Sequence, residues 1–253
     1  MDLYLAGNNF LTVGDRIMER PVMIMPTAHY KADGNDRDGT NRIATWFDLS
    51  GNGNHVHQPT QSLKPIFNPA NSLFNNHPSI DFNGSVFFDG GINILNPGND
   101  SMTVFVVGRH TTSTGTYIAK SMATSATTNR WFMFYEASRI MYLADNDAIV
   151  NTARTPGTPE IIVLDRNREI NRLSGRANRA ELGNIAFSPV NMVSGYNLLI
   201  GAYNNSIGGL PPTGGFFLNG SICEIRVYIN PVPLTLAQIT TIELELQAYY
   251  MTL

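Results

Sequence analysis

The chain has 253 residues, 43% of them hydrophobic and only 15% charged, with a formal net charge of −3. The length suits one large all-β domain, and the hydrophobic share is enough for a sizeable core. The slightly negative balance, with no Lys/Arg cluster, excludes non-specific nucleic-acid binding; the single cysteine, Cys223, excludes an internal disulfide framework or a Cys-rich zinc site.

The start, "MDLYLAGNNF", has no basic residue before Arg16 and so lacks the positive n-region of a signal peptide. Residues 1–20 are expected to form an N-terminal arm or an edge strand, with a single domain from 21 to 253. "VMIM" (Val22–Met25) reads as a first short strand ahead of Pro26. "ADGNDRDGT" (Ala32–Thr40) follows as a loop rich in oxygen ligands. Against the calcium-loop spacing D-x-[DN]-x-[DN]-G, Asp33 and Asn35 fit, but Arg37 puts a cation at the third ligand position. Asp36 and Asp38 can still bind an ion together with backbone carbonyls. Calcium therefore stays open, with Asp33, Asp36 and Asp38 as its candidates and no other cofactor expected.

"TWFDLSGNGNHVHQPT" (Thr45–Thr60) poses a sharper choice. His55 and His57 are two apart and would share a face of a strand, a legitimate start to a zinc site, but no third ligand stands at a diagnostic spacing. A structural corner explains more of the residues. Gly51, Asn52, Gly53 and Asn54 tolerate positive φ or bond to their own backbone, Asp48 can accept the loop's amides, and Trp46 can bury its ring as an anchor.

Short runs of Val, Ile, Phe and Tyr between turn residues then recur: Ser79–Gly84, with Ile80 and Phe82 on one face; the continuous apolar run Met102–Arg109, of the kind buried on both faces; and "TYIAK", "RWFMFYE", "RIMYLAD", "EIIVLDR", "NLLIGAY", "GFFLNG" and "ICEIRVYI". Many short strands and almost no helix point to a sandwich. Residues 182–223 carry no charge, yet polar and turn residues interrupt them throughout. No apolar stretch reaches the roughly 18 residues of a membrane helix, so a soluble protein is expected. In the last strand, alternation puts Cys223 on the face of Ile225 and Val227, as a buried structural thiol. One helix closes the chain: Thr235 and Gln238 form a capping-box pattern, and Ile239, Ile242, Leu246 and Tyr249 make an apolar stripe that leaves out Glu243 and Glu245.

The pattern W-x-D-x-S-G-N-G-N-x-x-x-Q (Trp46, Asp48, Ser50, Gly51, Asn52, Gly53, Asn54, Gln58) resembles the N-terminal signature of concanavalin A-like, laminin-G-like jelly-roll modules. "PSIDFNG", "TVFVVGR", "NLLIGA" and the closing strand and helix "FFLNGSICEIRVYINPVPLTLAQITTIELELQAYY" resemble later parts of the same family, so the likeness runs from about Tyr30 to Tyr250. It implies an all-β jelly-roll sandwich of two antiparallel sheets with one short C-terminal α-helix. Such modules occur in bacterial surface proteins and bacteriophage virion proteins.

Some members of this fold are glycoside hydrolases, which need paired carboxyl groups. The family's E-x-D-x-x-E run is absent. Glu160 and Asp165 have an odd spacing and point to opposite strand faces, with Asp165 and Arg166 expected to begin a polar turn. Asp145 and Asp147 fit a hairpin turn. A non-enzymatic protein is therefore expected: a structural module of a virion (capsid-decoration, tail or fibre), partnered by its own copies or neighbouring virion proteins. The alternative is a lectin-like carbohydrate-binding module of an extracellular or cell-surface protein. Neither reading involves nucleic acid or membrane insertion. Candidate glycan contacts are Tyr203, Asn204 and Asn205 beside the loop 206–215, and Trp131 and Tyr135, since glycan sites combine aromatic platforms with hydrogen-bonding groups.

Overall fold

The computed structural model describes residues 4–6, 10–13, 16–19, 24–120, 130–137, 139–145, 147–203 and 216–251. The N-terminal segment supplies β1 (Tyr4–Ala6), β2 (Phe10–Val13) and β3 (Arg16–Glu19), which form a three-stranded antiparallel sheet of their own. Of the run Val22–Met25, residues 22 and 23 lie outside the described residues, and 24–26 have no regular structure.

The main sheet contains β4 (Ala28–Arg37), β5 (Ile43–Asp48), β6 (Val56–His57), β7 (Ile66–Asn71), β8 (His77–Asn83), β9 (Phe88–Gly91), β10 (Ser101–His110), β11 (Gly115–Lys120), β12 (Arg130–Glu136), β13 (Arg139–Asp145), β14 (Asp147–Ala153), β15 (Glu160–Asn167), β16 (Arg172–Ala177), β17 (Ala180–Ala186), β18 (Leu198–Ile200) and β19 (Asn219–Asn230). Hydrogen bonding runs in the order β14-β13-β12-β11-β18-β9-β6-β5-β4-β19-β10-β15-β16-β17, with β8 beside β19 and β7 beside β8. The sheet folds over on itself, so that β14 lies against β16 and β17. The result is an all-β sandwich whose two leaves remain joined. β4 makes the join: its residues 28–31 pair with β19, and Tyr30 and residues 35–37 pair with β5, across a register break between Tyr30 and Asn35. A bent, bulged strand that changes leaf is how such corners are built. Asp145 and Asp147 flank the β13–β14 hairpin.

The main core fills the space between the leaves. Ile118, Trp131, Met133, Tyr135, Ile140 and Tyr142 come from one side, and Val104, Val106, Ile162, Leu164, Ile225 and Val227 from the other. The opposite face of β10, β15 and β19 is also apolar and is covered by α1 (Leu236–Tyr250). Phe105, Val107, Ile161, Val163, Cys223 and Tyr228 meet Ile239, Leu246 and Tyr250 there. Central strand β10 is thus buried on both faces, as its unbroken apolar run requires.

The helix begins where the capping box predicts: Thr235 Oγ accepts from Gln238 N–H, and Gln238 Oε1 accepts from Thr235 N–H at 2.8 Å. Its buried stripe keeps the predicted Ile239 and Leu246, with Ile242 packed at its side, but takes in Glu243 and has Tyr250 in place of Tyr249. Glu243 joins it because Arg176 of β16 meets its carboxylate at 2.9 Å inside the interface; Tyr249 is 41% exposed. The expected face of Cys223 is also corrected. The register of β19 against β10 jumps between Val107↔Glu224 and Gly108↔Ile222, leaving Cys223 as the extra residue of a β-bulge. Cys223 therefore turns away from Ile225 and Val227 to the helix side, where burial raises its thiol pKa well above the ordinary value. Among the described residues no helix is long and apolar enough to cross a membrane.

Candidate functional site

A groove of about 400 Å³ lies between β4, β19 and the last turns of α1. Its floor follows from strand alternation. Tyr30 and Ile225 point into the core, so their neighbours His29 and Lys31 on β4, and Glu224 and Arg226 on β19, face outward. The pairing Glu224↔Lys31 and Arg226↔His29 sets these four side chains side by side. The bulge at Cys223 sets the register of β19 in which Glu224 and Arg226 take outward positions. Glu245, Leu246, Ala248, Tyr249 and Tyr250 of α1 form the facing wall.

Glu224 is the hub. Its Oε1 receives His29 Nε2 at 2.8 Å and Arg226 Nε, and its Oε2 receives the Tyr250 hydroxyl at 2.7 Å. Burial alone would raise this carboxyl. The His29 hydrogen bond, the Arg226 charge and the Tyr250 hydroxyl outweigh it and hold the pKa at about 2. Arg226 reaches past Glu224 to grip Glu245 with a two-pronged contact at 3.0 and 3.3 Å. Lys31 donates to the Tyr249 hydroxyl at 3.3 Å and stands 4.7 Å from the centre of that ring, with Asp33 at 3.9 Å. His77 stacks on Tyr249 at 3.8 Å. The walls thus combine a fixed aromatic ring with ionised groups that are already oriented.

A second cavity of about 190 Å³ opens near the start of α1, around Asp165, Arg172, Arg176 and Leu236. Burial pushes the Asp165 carboxyl up to about 6 despite the Thr103 hydroxyl at 2.9 Å. Asp165 and Arg166 do not begin a polar turn; both lie buried within β15, Asp165 on the helix side. Glu160 faces the interior, where it accepts from Tyr135 at 3.0 Å and from Arg154 at 3.2 Å. The two acids therefore sit on opposite faces of one strand.

Of the predicted glycan contacts, the described ones are Trp131, Tyr135 and Tyr203. Trp131 and Tyr135 belong to the core: Trp131 is 1% exposed and Tyr135 is fully buried, stacked on His110 at 3.5 Å. Neither ring offers a face to a ligand. In β12 the alternating aromatics Trp131, Phe132, Phe134 and Tyr135 supply both faces, and Phe132 and Phe134 take the outer one. Tyr203 packs against Phe132, Phe134 and Phe216 there. Asn204, Asn205 and the loop 206–215 lie outside the described residues.

The calcium candidates also disperse. The segment read as a loop is strand β4 as far as Arg37, so Asp33 and Asp36 lie along a strand, and Arg37 covers the Phe67 ring. Asp38 lies beyond it and is saturated by Thr40, Arg42 and Gln61; the hydrogen bonds from Thr40 and Gln61 lower its pKa. Among the described residues no group of three or more His, Cys, Asp or Glu side chains converges to hold a metal ion.

At the Thr45–Thr60 corner, Asp48 accepts from the amides of His29, Ser50 and Asn54 and from the Ser50 hydroxyl. Burial raises this carboxyl, but the four hydrogen bonds prevail and its pKa is lowered. Gly51 and Gly53 take φ of 88° and 74°, which L side chains rarely adopt. Asn52 and Asn54 both donate to the Thr27 carbonyl, and Trp46 Nε1 donates to the Lys31 carbonyl at 2.7 Å. His55 Nδ1 accepts the Asp48 amide, and His57 Nδ1 faces the Thr45 hydroxyl at 3.1 Å. The corner fixes both His29 and Lys31 through their backbone, so it positions the groove from behind.

No family model matches the chain, and no curated protein does. Solved structures share its fold. It resembles the CBM40 of the Ruminococcus gnavus IT-sialidase bound to α2,3-sialyllactose (TM-score 0.51, 12% identity, covering 65% of this chain and 96% of that one). It also resembles the Trypanosoma rangeli sialidase in complex with sialic acid (0.57, 11%, 89% and 33%) and the NanB sialidase of Streptococcus pneumoniae (0.50, 16%, 64% and 27%). The chain spans about a third or less of the length of these two sialidases. At such identities the likeness is one of fold.

Proposed function

We propose that the chain is a non-catalytic carbohydrate-binding module, working outside the cell or at a cell surface, whose ligand seats in the groove between β4, β19 and α1. The observation that carries this reading is the match to the Ruminococcus gnavus module, a carbohydrate-binding unit bound to sialyllactose, 96% of whose chain is covered. The groove's chemistry agrees with it. Tyr249 supplies an aromatic ring, and His29, Lys31, Arg226 and Glu245 supply oriented donors and acceptors, the combination by which concave sites fix polar ligands. A binding role also fits the separation of Glu160 and Asp165. The matched structures favour this reading over the virion module and give no support to the virion or self-assembly expectations.

A glycan-array screen of the wild type and Tyr249→Ala tests it. The wild type is expected to bind a restricted set of glycans. The variant should lose about tenfold in affinity, roughly 1.4 kcal/mol, with its melting temperature nearly unchanged, because the ring is half exposed. A silent array would overturn the function, and hits indifferent to Tyr249→Ala would overturn the site.

A further inference from the structure

We infer that the groove is built for a neutral saccharide and discriminates against acidic ones; this deepens the carbohydrate-binding reading and rests on it. The argument is one of charge closure. Two cations, Lys31 and Arg226, and the His29 imidazole stand with three carboxylates, Asp33, Glu224 and Glu245, and each of the three basic groups is in contact with at least one carboxylate. Arg226, the strongest anchor available to a ligand carboxylate or sulfate, has its fork filled by Glu245 and its Nε by Glu224. An anionic ligand reaching for Arg226 would have to displace one of these carboxylates and would still meet Glu224, which is 3% exposed and cannot swing away. Like charges brought together in a half-closed site disfavour binding.

A neutral sugar meets no such conflict. Its hydroxyls both donate and accept. The Lys31 ammonium has three N–H groups and gives one to Tyr249, so donors remain for a ring hydroxyl. The Glu245 carboxylate, 61% exposed, keeps lone pairs on its open side. Ala248 and the part of the Tyr249 ring left open beside His77 and Lys31 present apolar surface to the C–H groups of a sugar. The groove therefore recognises hydroxyls through ion pairs that stay intact when the ligand binds.

The test is an array carrying neutral oligosaccharides beside their sialylated and sulfated forms, lactose and α2,3-sialyllactose among them, followed by calorimetric titration of the best pair. The neutral member should bind at least about tenfold tighter, with its affinity changing less than about twofold between about 50 and about 300 mM NaCl. Glu245→Gln removes the carboxylate from the Arg226 fork at an exposed position. It should raise affinity for the sialylated or sulfated member several-fold and weaken the neutral one. Binding confined to acidic glycans, a steep loss of affinity with salt, or a Glu245→Gln variant indistinguishable from wild type would overturn the inference while leaving carbohydrate binding in place. An array silent for every glycan would remove both.

Discussion

Two Arg–Glu pairs tie the helix to the sandwich. Arg176 of β16 meets Glu243, and Arg226 of β19 meets Glu245; the partner acids are two residues apart in α1. The chemistry is the same, but the surroundings are not. Glu243 is fully buried and also accepts the Arg179 amide at 3.0 Å, whereas Glu245 stands mostly in water at the lip of the groove. A sealed pair is held by its neighbours and can only be structural. An open pair contributes little to stability and is free to act on a ligand.

The sharpest way to break that comparison is Glu243→Ala. It strands the Arg176 charge under the helix and should cost about 3–5 kcal/mol in urea unfolding. A loss under about 1 kcal/mol would mean that water reaches the pair. Acid offers the next largest effect, here with a buried histidine set against a buried carboxylate that is bonded to His29, Arg226 and Tyr250. His110 is fully buried, and burial, then the Arg154 charge, lowers its pKa from 6.5 to about 4. Between those values the unfolded chain binds more protons, so this contribution is complete above pH 6.5 and is lost as pH falls through about 4. Its size is on the order of 3 kcal/mol. Glu224 in the open groove, held at about 2, keeps its contribution above its ordinary 4.5 and loses it only as pH falls through about 2. Asp165, raised to about 6, contributes with the opposite sign over the same window, gaining stability as pH falls, so the His110 limb is read as the difference between the wild type and His110→Phe.

Thr235→Ala removes the cap more than two turns before either pair and should cost about 1 kcal/mol by thermal melting. The smallest effect belongs to the open pair. A double-mutant cycle on Arg226 and Glu245 should give a coupling of about 0.2–1 kcal/mol, and a larger value would make the groove a structural clasp after all.

The sandwich is legible in the sequence where residue choice and environment agree. β10 reads as a strand buried on both sides because every position from Ser101 to Gly108 is apolar or small, and the helix start reads from Thr235 and Gln238. The corner reads from Asp48 and the Gly/Asn run because only such residues fit its backbone. Legibility fails where pairing decides. β4 carries Asp, Gly and Asn, poor strand formers, and is a strand because β19 and β5 hold it from both sides. β12 alternates aromatic with aromatic, so nothing in its letters says that Trp131 and Tyr135 face inward. The groove joins His29 and Lys31 to Glu224 and Arg226, nearly two hundred residues away. Only the polar–apolar–polar triplets "HYK" and "EIR" hint that each strand turns charge outward at that point.

The bulge at Cys223 means that β19 is written in two reading frames. Before it, Ile222 faces the core; after it, the frame slips by one and Ile225 and Val227 face the core. Cys223 is the spare letter between them. Deleting it would restore strict in-and-out alternation through Ile222, Glu224 and Ile225, so a change of length at this one point should be gentler than a bulky replacement. Anywhere else along the strand, losing a residue would turn the groove's charges into the core.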